Sequence, residues 1–104
     1  MQDTRGGPLL PKAIVALSES DLDDGVAALG WRLRGLVMDG ASLVVIDVSE
    51  LSHISSTLLA ELLETHRVCR RRGGGIVIRH ANRKMADVLH RTGLDRVFDV
   101  EVAA

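Results

Sequence analysis

The side chains in this chain that could do chemistry are four histidines (His53, His66, His80 and His90), one thiol (Cys69) and three consecutive hydroxyls (Ser55, Ser56 and Thr57). His66 and Cys69 stand three apart and could share a helix face, which makes half of a zinc site. No second ligand pair follows at a supporting spacing, so no metal site is expected. Cys69 lies between Val68 and Arg70 near a predicted helix end, where a thiol packs more readily than it attacks. Neither Ser55 nor Ser56 has the Gly-x-Ser-x-Gly surroundings of a hydrolase nucleophile. Gly73-Gly74-Gly75 closes a predicted helix and opens a strand, the reverse of a phosphate-cradling loop, and reads as a cap and turn. These absences predict a non-enzymatic chain that needs no cofactor.

The hydroxyl run leaves two readings open. Capping the helix that follows needs only one of Ser55, Ser56 and Thr57. The other reading is a phosphorylation switch, because a phosphate at a helix start meets unpaired backbone N–H groups and the positive end of the helix dipole. Such a phosphate adds about −1.5 to −2 charge to its surroundings, enough to dislodge a partner that docked on the neutral hydroxyl.

The elements that must position these groups follow from hydrophobic periodicity. Residues 1–11, with Gly6, Gly7, Pro8 and Pro11, read as a flexible leader to a single domain over 12–104. Lys12 to Leu17 has strand length. Both Ser18/Asp21 and Ser20/Asp23 fit a Ser-x-x-acid helix start, and Leu22, Val26, Leu29, Leu33 and Leu36 form the stripe of a helix ended by Asp39-Gly40. Ser42 to Val48 is an unbroken apolar run around Asp47, predicted to be a central strand buried on both faces. A helix follows over about Thr57 to Arg72, burying Leu59, Leu62, Leu63 and His66; a strand covers Gly75 to Arg79. A helix through Met85, Val88 and Leu89 stops at Gly93, and a short strand ends near Val102. This β-α-β-α-β-α-β alternation predicts an α/β fold with a four- to five-stranded, mostly parallel mixed sheet and flanking helices, with room for an antiparallel early strand at an edge.

Composition narrows function further. Of 104 residues 46% are apolar and only 2% aromatic, with Trp31 and Phe98 as the whole aromatic set. Single-strand and RNA binders rely on aromatic stacking that this chain cannot offer. Ten acids face four bases in residues 1–66, a net −6, and nine bases face four acids in residues 67–104, a net +5. The run Arg70-Arg71-Arg72 lies at a helix end, where it complements the dipole, so no direct nucleic-acid binding is expected. No window is long and apolar enough to insert in a membrane and no signal peptide is evident, which makes the cytoplasm the expected address.

Four segments carry a family resemblance: Ile46-Asp47-Val48-Ser49, Ile54-Ser55-Ser56-Thr57-Leu58-Leu59, Arg72-Gly73-Gly74-Gly75-Ile76-Val77-Ile78, and Leu89-His90-Arg91-Thr92-Gly93-Leu94-Asp95-Arg96-Val97-Phe98. Together with Ser18-Glu19-Ser20-Asp21 they resemble the STAS domain family of bacterial anti-sigma-factor antagonists, over about Lys12 to Val102. The resemblance implies a STAS-type fold and a regulatory binding module. Its partner would be an anti-sigma factor with serine kinase activity, which itself binds the ATP. Ser56 aligns with the phosphoacceptor, ahead of Ser55 and Thr57. The implied docking surface comprises Glu19, Asp21 and Asp23 in an acidic loop that runs on to Asp24; Ser49, Glu50, Ser52 and His53 before the acceptor; and Ser55, Ser56, Thr57, Leu58 and Leu59 at the helix start. Weak self-association is compatible with such a module. Ser55 stands where the family has Asp and Leu58 where it has Gly, so the family also offers another role, an unphosphorylated accessory or scaffold subunit of a phospholipid-transport ABC system or a stress-signalling assembly.

Overall fold

Leu43-Val-Val-Ile-Asp-Val-Ser-Glu50 owes its place to its side chains: β-branched residues favour extended backbone, and an apolar run with one acid is best held between neighbouring strands. In the computed structural model, which describes residues 11–23 and 25–103, this segment is the second of four strands. They are β1 (Lys12–Ser18), β2 (Leu43–Glu50), β3 (Gly75–Ala81) and β4 (Asp99–Val102), joined by helices α1 (Ala27–Met38), α2 (Ser56–Arg71) and α3 (Arg83–Arg91). The sheet order is β1-β2-β3-β4, which gives β2 a neighbour on each side.

Every pairing in this sheet is parallel, including the early strand, whose Ala13 to Ala16 register with Val44 to Asp47. The sequence left room for a fifth strand and an antiparallel edge; the described residues form neither. A chain that returns through a helix after β1 starts its next strand at the same end of the sheet, so β1 and β2 run the same way. The leader expected over 1–11 falls outside the described residues except for Pro11, whose carbonyl accepts the Ser42 and Leu43 N–H groups.

Three right-handed crossovers advancing in one direction put all three helices on one face of the sheet. The core confirms it: Val15, Leu17, Val44, Ile46, Ile76 and Ile78 join Leu29, Leu33, Leu58, Leu62, Met85 and Leu89 in one buried cluster. Strand alternation turns Ile14, Val45 and Val77, which share a register row, to the opposite face. The C-terminal ends of the strands and the starts of the helices therefore gather at one rim, where ligands and partners of parallel sheets meet the fold. No helix among the described residues is long and apolar enough to cross a membrane.

The acids of Ser18–Asp23 do not begin α1, as their spacing suggested. They form a separate 3-10 turn, Glu19–Leu22, in which the Asp21 carboxylate accepts both the Ser18 N–H at 2.7 Å and its hydroxyl at 3.0 Å. Gly25 then takes a left-handed φ of 89° that a continuing helix cannot hold, and α1 starts two residues later.

Candidate functional site

The three hydroxyls at the start of α2 are sorted by the geometry of a helix end. Ser55 has extended backbone and its Oγ accepts the Leu58 N–H at 3.1 Å, which makes it the N-cap. Ser56 and Thr57 are the first two helical residues; both are exposed, and neither hydroxyl bonds to another described residue. Their backbone N–H groups belong to the first turn, which has no partners within the helix.

Leu58 and Leu59, expected on the docking surface, instead point into the core at 0% and 7% exposure. With Leu62, Thr65, His66 and Cys69 they complete the buried stripe of α2, because positions three and four apart on a helix share a face. The outward part of the first turn is therefore polar.

The loop that delivers Ser55 is anchored in both directions. Leu51 and Ile54 are buried, so the residues between them, Ser52 and His53, are held at the surface. The Ser52 N–H and Oγ both donate to Glu19 Oε2, at 3.0 and 3.1 Å. On the other side the Ser52 carbonyl accepts Asn82 Nδ2 at 3.1 Å, while Asn82 Oδ1 caps α3 through the Met85 N–H at 2.9 Å. One exposed loop thus joins the turns that follow β1 and β3. The Ser52 N–H, followed by its hydroxyl, holds the Glu19 carboxyl below the usual carboxylate range.

Glu19, Leu22, Asp23, Gly25, Val26, His53, Ser55 and Thr57 line an open cleft of ≈ 390 Å³ beside this helix start. Of the residues singled out from sequence, Glu19, Asp23, His53, Ser55 and Thr57 are brought together there, with Ser52 tied to its edge. Asp21 is engaged in its own turn, where the Ser18 N–H and then its hydroxyl lower its pKa, and it lies 3.9 Å from Arg32. Asp24 falls outside the described residues. Ser49 and Glu50 are exposed at the end of β2 and do not line the cleft.

Two contributors escaped the sequence reading. Asn82 carries a local signal, a capping residue type before a helix, but its bond to Ser52 spans 30 residues. Asp47 accepts the Ser49 N–H at 2.9 Å and faces His80 Nδ1 at 3.2 Å; the Ser49 contact chiefly holds its carboxyl low. His80 has a φ of 64° where the register shifts between Arg79 and Ala81, an uncommon backbone for a residue with a side chain.

At the far end of α2, the remaining reactive groups are occupied. His66 Nδ1 accepts the Ile76 N–H at 3.0 Å, and its ring meets Phe98 edge-on at 5.3 Å. Burial pushes the His66 pKa down and the Cys69 pKa up, so both are neutral in the core. Arg72 donates to the Val37 carbonyl at the end of α1 and to that of Ala41 beyond it, and Arg70 to that of Gly74 before β3, so two of the three arginines are engaged by backbone. Gly73, at φ 86°, closes α2 with its N–H on the Arg70 carbonyl while the Gly74 N–H reaches that of Cys69, a Schellman cap.

Comparison with known proteins agrees with this architecture. A family model described as Mlab, STAS domain, matches residues 11–101. An NMR structure of the protein TM1081 superposes with a TM-score of 0.73 at 22% identity, covering 86% of this chain and 73% of that one. A crystal structure of the Thermotoga maritima protein tm1081, provisionally described as an anti-sigma factor antagonist, gives a TM-score of 0.60 at 19% identity, covering 89% and 75%. At these identities the two structures speak for the fold. Among curated proteins none matches at a significant level.

Proposed function

From the chain's membership of the STAS domain family, we propose that it is a non-enzymatic regulatory module of the anti-sigma-factor-antagonist type, docking on an anti-sigma factor kinase and released by phosphorylation of Ser56. One observation carries this reading: of three adjacent hydroxyls, Ser55 is committed to the cap, while Ser56 and Thr57 are exposed on the first turn of a 16-residue helix, where Thr57 lines an acidic cleft with Glu19 and the resemblance to the family singles out Ser56. A phosphate there is stabilised by the helix end without unfolding the domain. A partner seated over the helix start would have to desolvate the new dianion, and it lets go. The γ-phosphate comes from ATP bound by the partner; this chain contributes the acceptor oxygen and a surface. Docking would use the rim from Glu19 and Asp23 to His53, Ser56 and Thr57, with Leu58 and Leu59 supporting it from inside. The module would work in the cytoplasm, where such a kinase finds its ATP.

The test combines intact mass with binding. Incubated with its anti-sigma kinase and ATP, the protein gains the mass of one phosphate, located on Ser56; Ser56→Ala gains none, and Ser56→Asp no longer binds the kinase. A mass that never moves, with binding indifferent to Ser56→Asp, rules the switch out. The second reading, an accessory or scaffold subunit of a transport or stress-signalling assembly, draws on Ser55, which supplies a neutral cap where antagonists carry a carboxylate. That reading expects stable co-purification with an ATPase subunit that persists in Ser56→Ala.

A further inference from the structure

A second surface lies away from the helix start. Trp31 and Met38, seven residues apart on the outer stripe of α1, are 72% and 84% exposed. Single exposed apolar residues are ordinary. Met38 lines a groove of ≈ 290 Å³ between α1 and α2 with Arg34, Val37, Glu61, Glu64, Thr65 and Val68, and Trp31 adjoins it through Arg34. The Glu61 carboxylate rests on the backbone of α1, where a Cβ on Gly30 would come within 2.7 Å of its Oε1. Arg34 holds its guanidinium 5.3 Å from the centre of the Trp31 ring.

We propose that this groove docks a second copy of the chain. The argument is charge complementarity. Arg67 is paired with Glu64 at 3.6 Å and Arg32 with Asp21 at 3.9 Å, whereas Arg34 and Glu61 form no ion pair among the described residues. A groove whose Arg34 on α1 and Glu61 on α2 carry opposite charges with no ion pair among the described residues suits neither a polyanion nor a partner of one charge sign. It suits its own twofold image, in which Arg34 of each copy meets Glu61 of the other and Trp31 and Met38 fill the facing groove. Helices of 12 and 16 residues are about 18 and 24 Å long; set about 10 Å apart, they offer a face of roughly 400 Å² per copy. That is small for a stable dimer and places this one in the weak, reversible class. Glu61 lies more than a turn beyond Ser56, so the contact stands independently of the phosphorylation reading.

The chain's single tryptophan reports on the contact directly. In sedimentation equilibrium the weight-average mass rises from one chain towards two between about 10 μM and 1 mM, and Trp31 emission shifts to the blue over the same range. Trp31→Gln weakens association about thirtyfold, as loss of a central aromatic anchor does. Arg34→Glu and Glu61→Arg each weaken it about fivefold, and the two together restore it. If a reversal unfolds the protein by circular dichroism, Arg34→Ala and Glu61→Gln replace it, each weakening association. A mass of one chain up to 1 mM, a dimer indifferent to the single changes, or a charge swap that restores nothing overturns the proposal.

Discussion

At the C-terminal end of α2, His66, Cys69, Arg70 and Arg72 are committed to a backbone N–H, the core or backbone carbonyls. At its N-terminal end Ser55 is committed in the same way, yet Ser56 and Thr57 are left exposed without partners among the described residues. Counting reactive side chains would favour the first region, which holds an imidazole, a thiol and three consecutive guanidinium groups, two of them engaged by backbone carbonyls. The comparison teaches that capacity for function lies in what folding leaves unsatisfied. A buried neutral histidine accepting a backbone hydrogen bond has no lone pair left for chemistry, whereas a hydroxyl on an exposed first turn keeps all of its own.

Breaking the C-terminal region should therefore damage the fold, and breaking the N-terminal region should damage mainly the proposed switch. Gly74→Ala is expected to have the largest effect. A Cβ there collides with the Ser42 carbonyl, where β2 begins and where the Gly75 N–H is bonded. Backbone on both sides blocks relief, so a loss of about 4 kcal/mol or more is expected in urea unfolding; a change under about 1 kcal/mol would mean that this end is not an anchor.

His66→Ala comes next, at about 3 kcal/mol, for the lost packing on Phe98 and an orphaned Ile76 N–H. It also predicts a pH dependence. The folded-state pKa of His66 is lowered by burial, so the unfolded chain binds the proton first as pH falls. The contribution of His66 is complete above about pH 6.5 and is lost as pH drops from there towards the lowered folded value. Unfolding curves between pH 7 and 5 should show the slope in the wild type and a flatter line in His66→Gln.

Ser55→Ala removes one cap and should cost about 1 kcal/mol, seen as a lower urea midpoint at unchanged slope. Ser56→Ala should lie within about 0.5 kcal/mol of wild type while abolishing phosphate incorporation. If Ser56→Ala proved as costly as Ser55→Ala, the division of labour between the two hydroxyls would fail.

Much of the fold could be read from residue spacing. The alternation of strands and helices, the central place of β2 and the glycine closure of α2 all rest on signals a few residues long. Leu58 shows where such reading stops. The family resemblance implied a surface role for it, but a residue four positions before Leu62 in the buried stripe turns inwards with it. The acids after Ser18 are similar: their spacing fits a helix start, and whether they open α1 or a separate turn depends on where Gly25 takes a left-handed φ.

By itself the sequence determined what interactions within about four residues can determine: periodicity, the glycine closure of α2, and a helix start rich in hydroxyls. Tertiary structure decided the rest, because the links that build the site close over distances no local pattern spans. Glu19 reaches Ser52 across 33 residues and Asn82 reaches the same residue across 30. Both bonds exist because the parallel order β1-β2-β3 brings three successive loops to one rim. The same sheet order stacks α1 beside α2, which places Arg34 and Glu61 in one groove and leaves Trp31 on its edge.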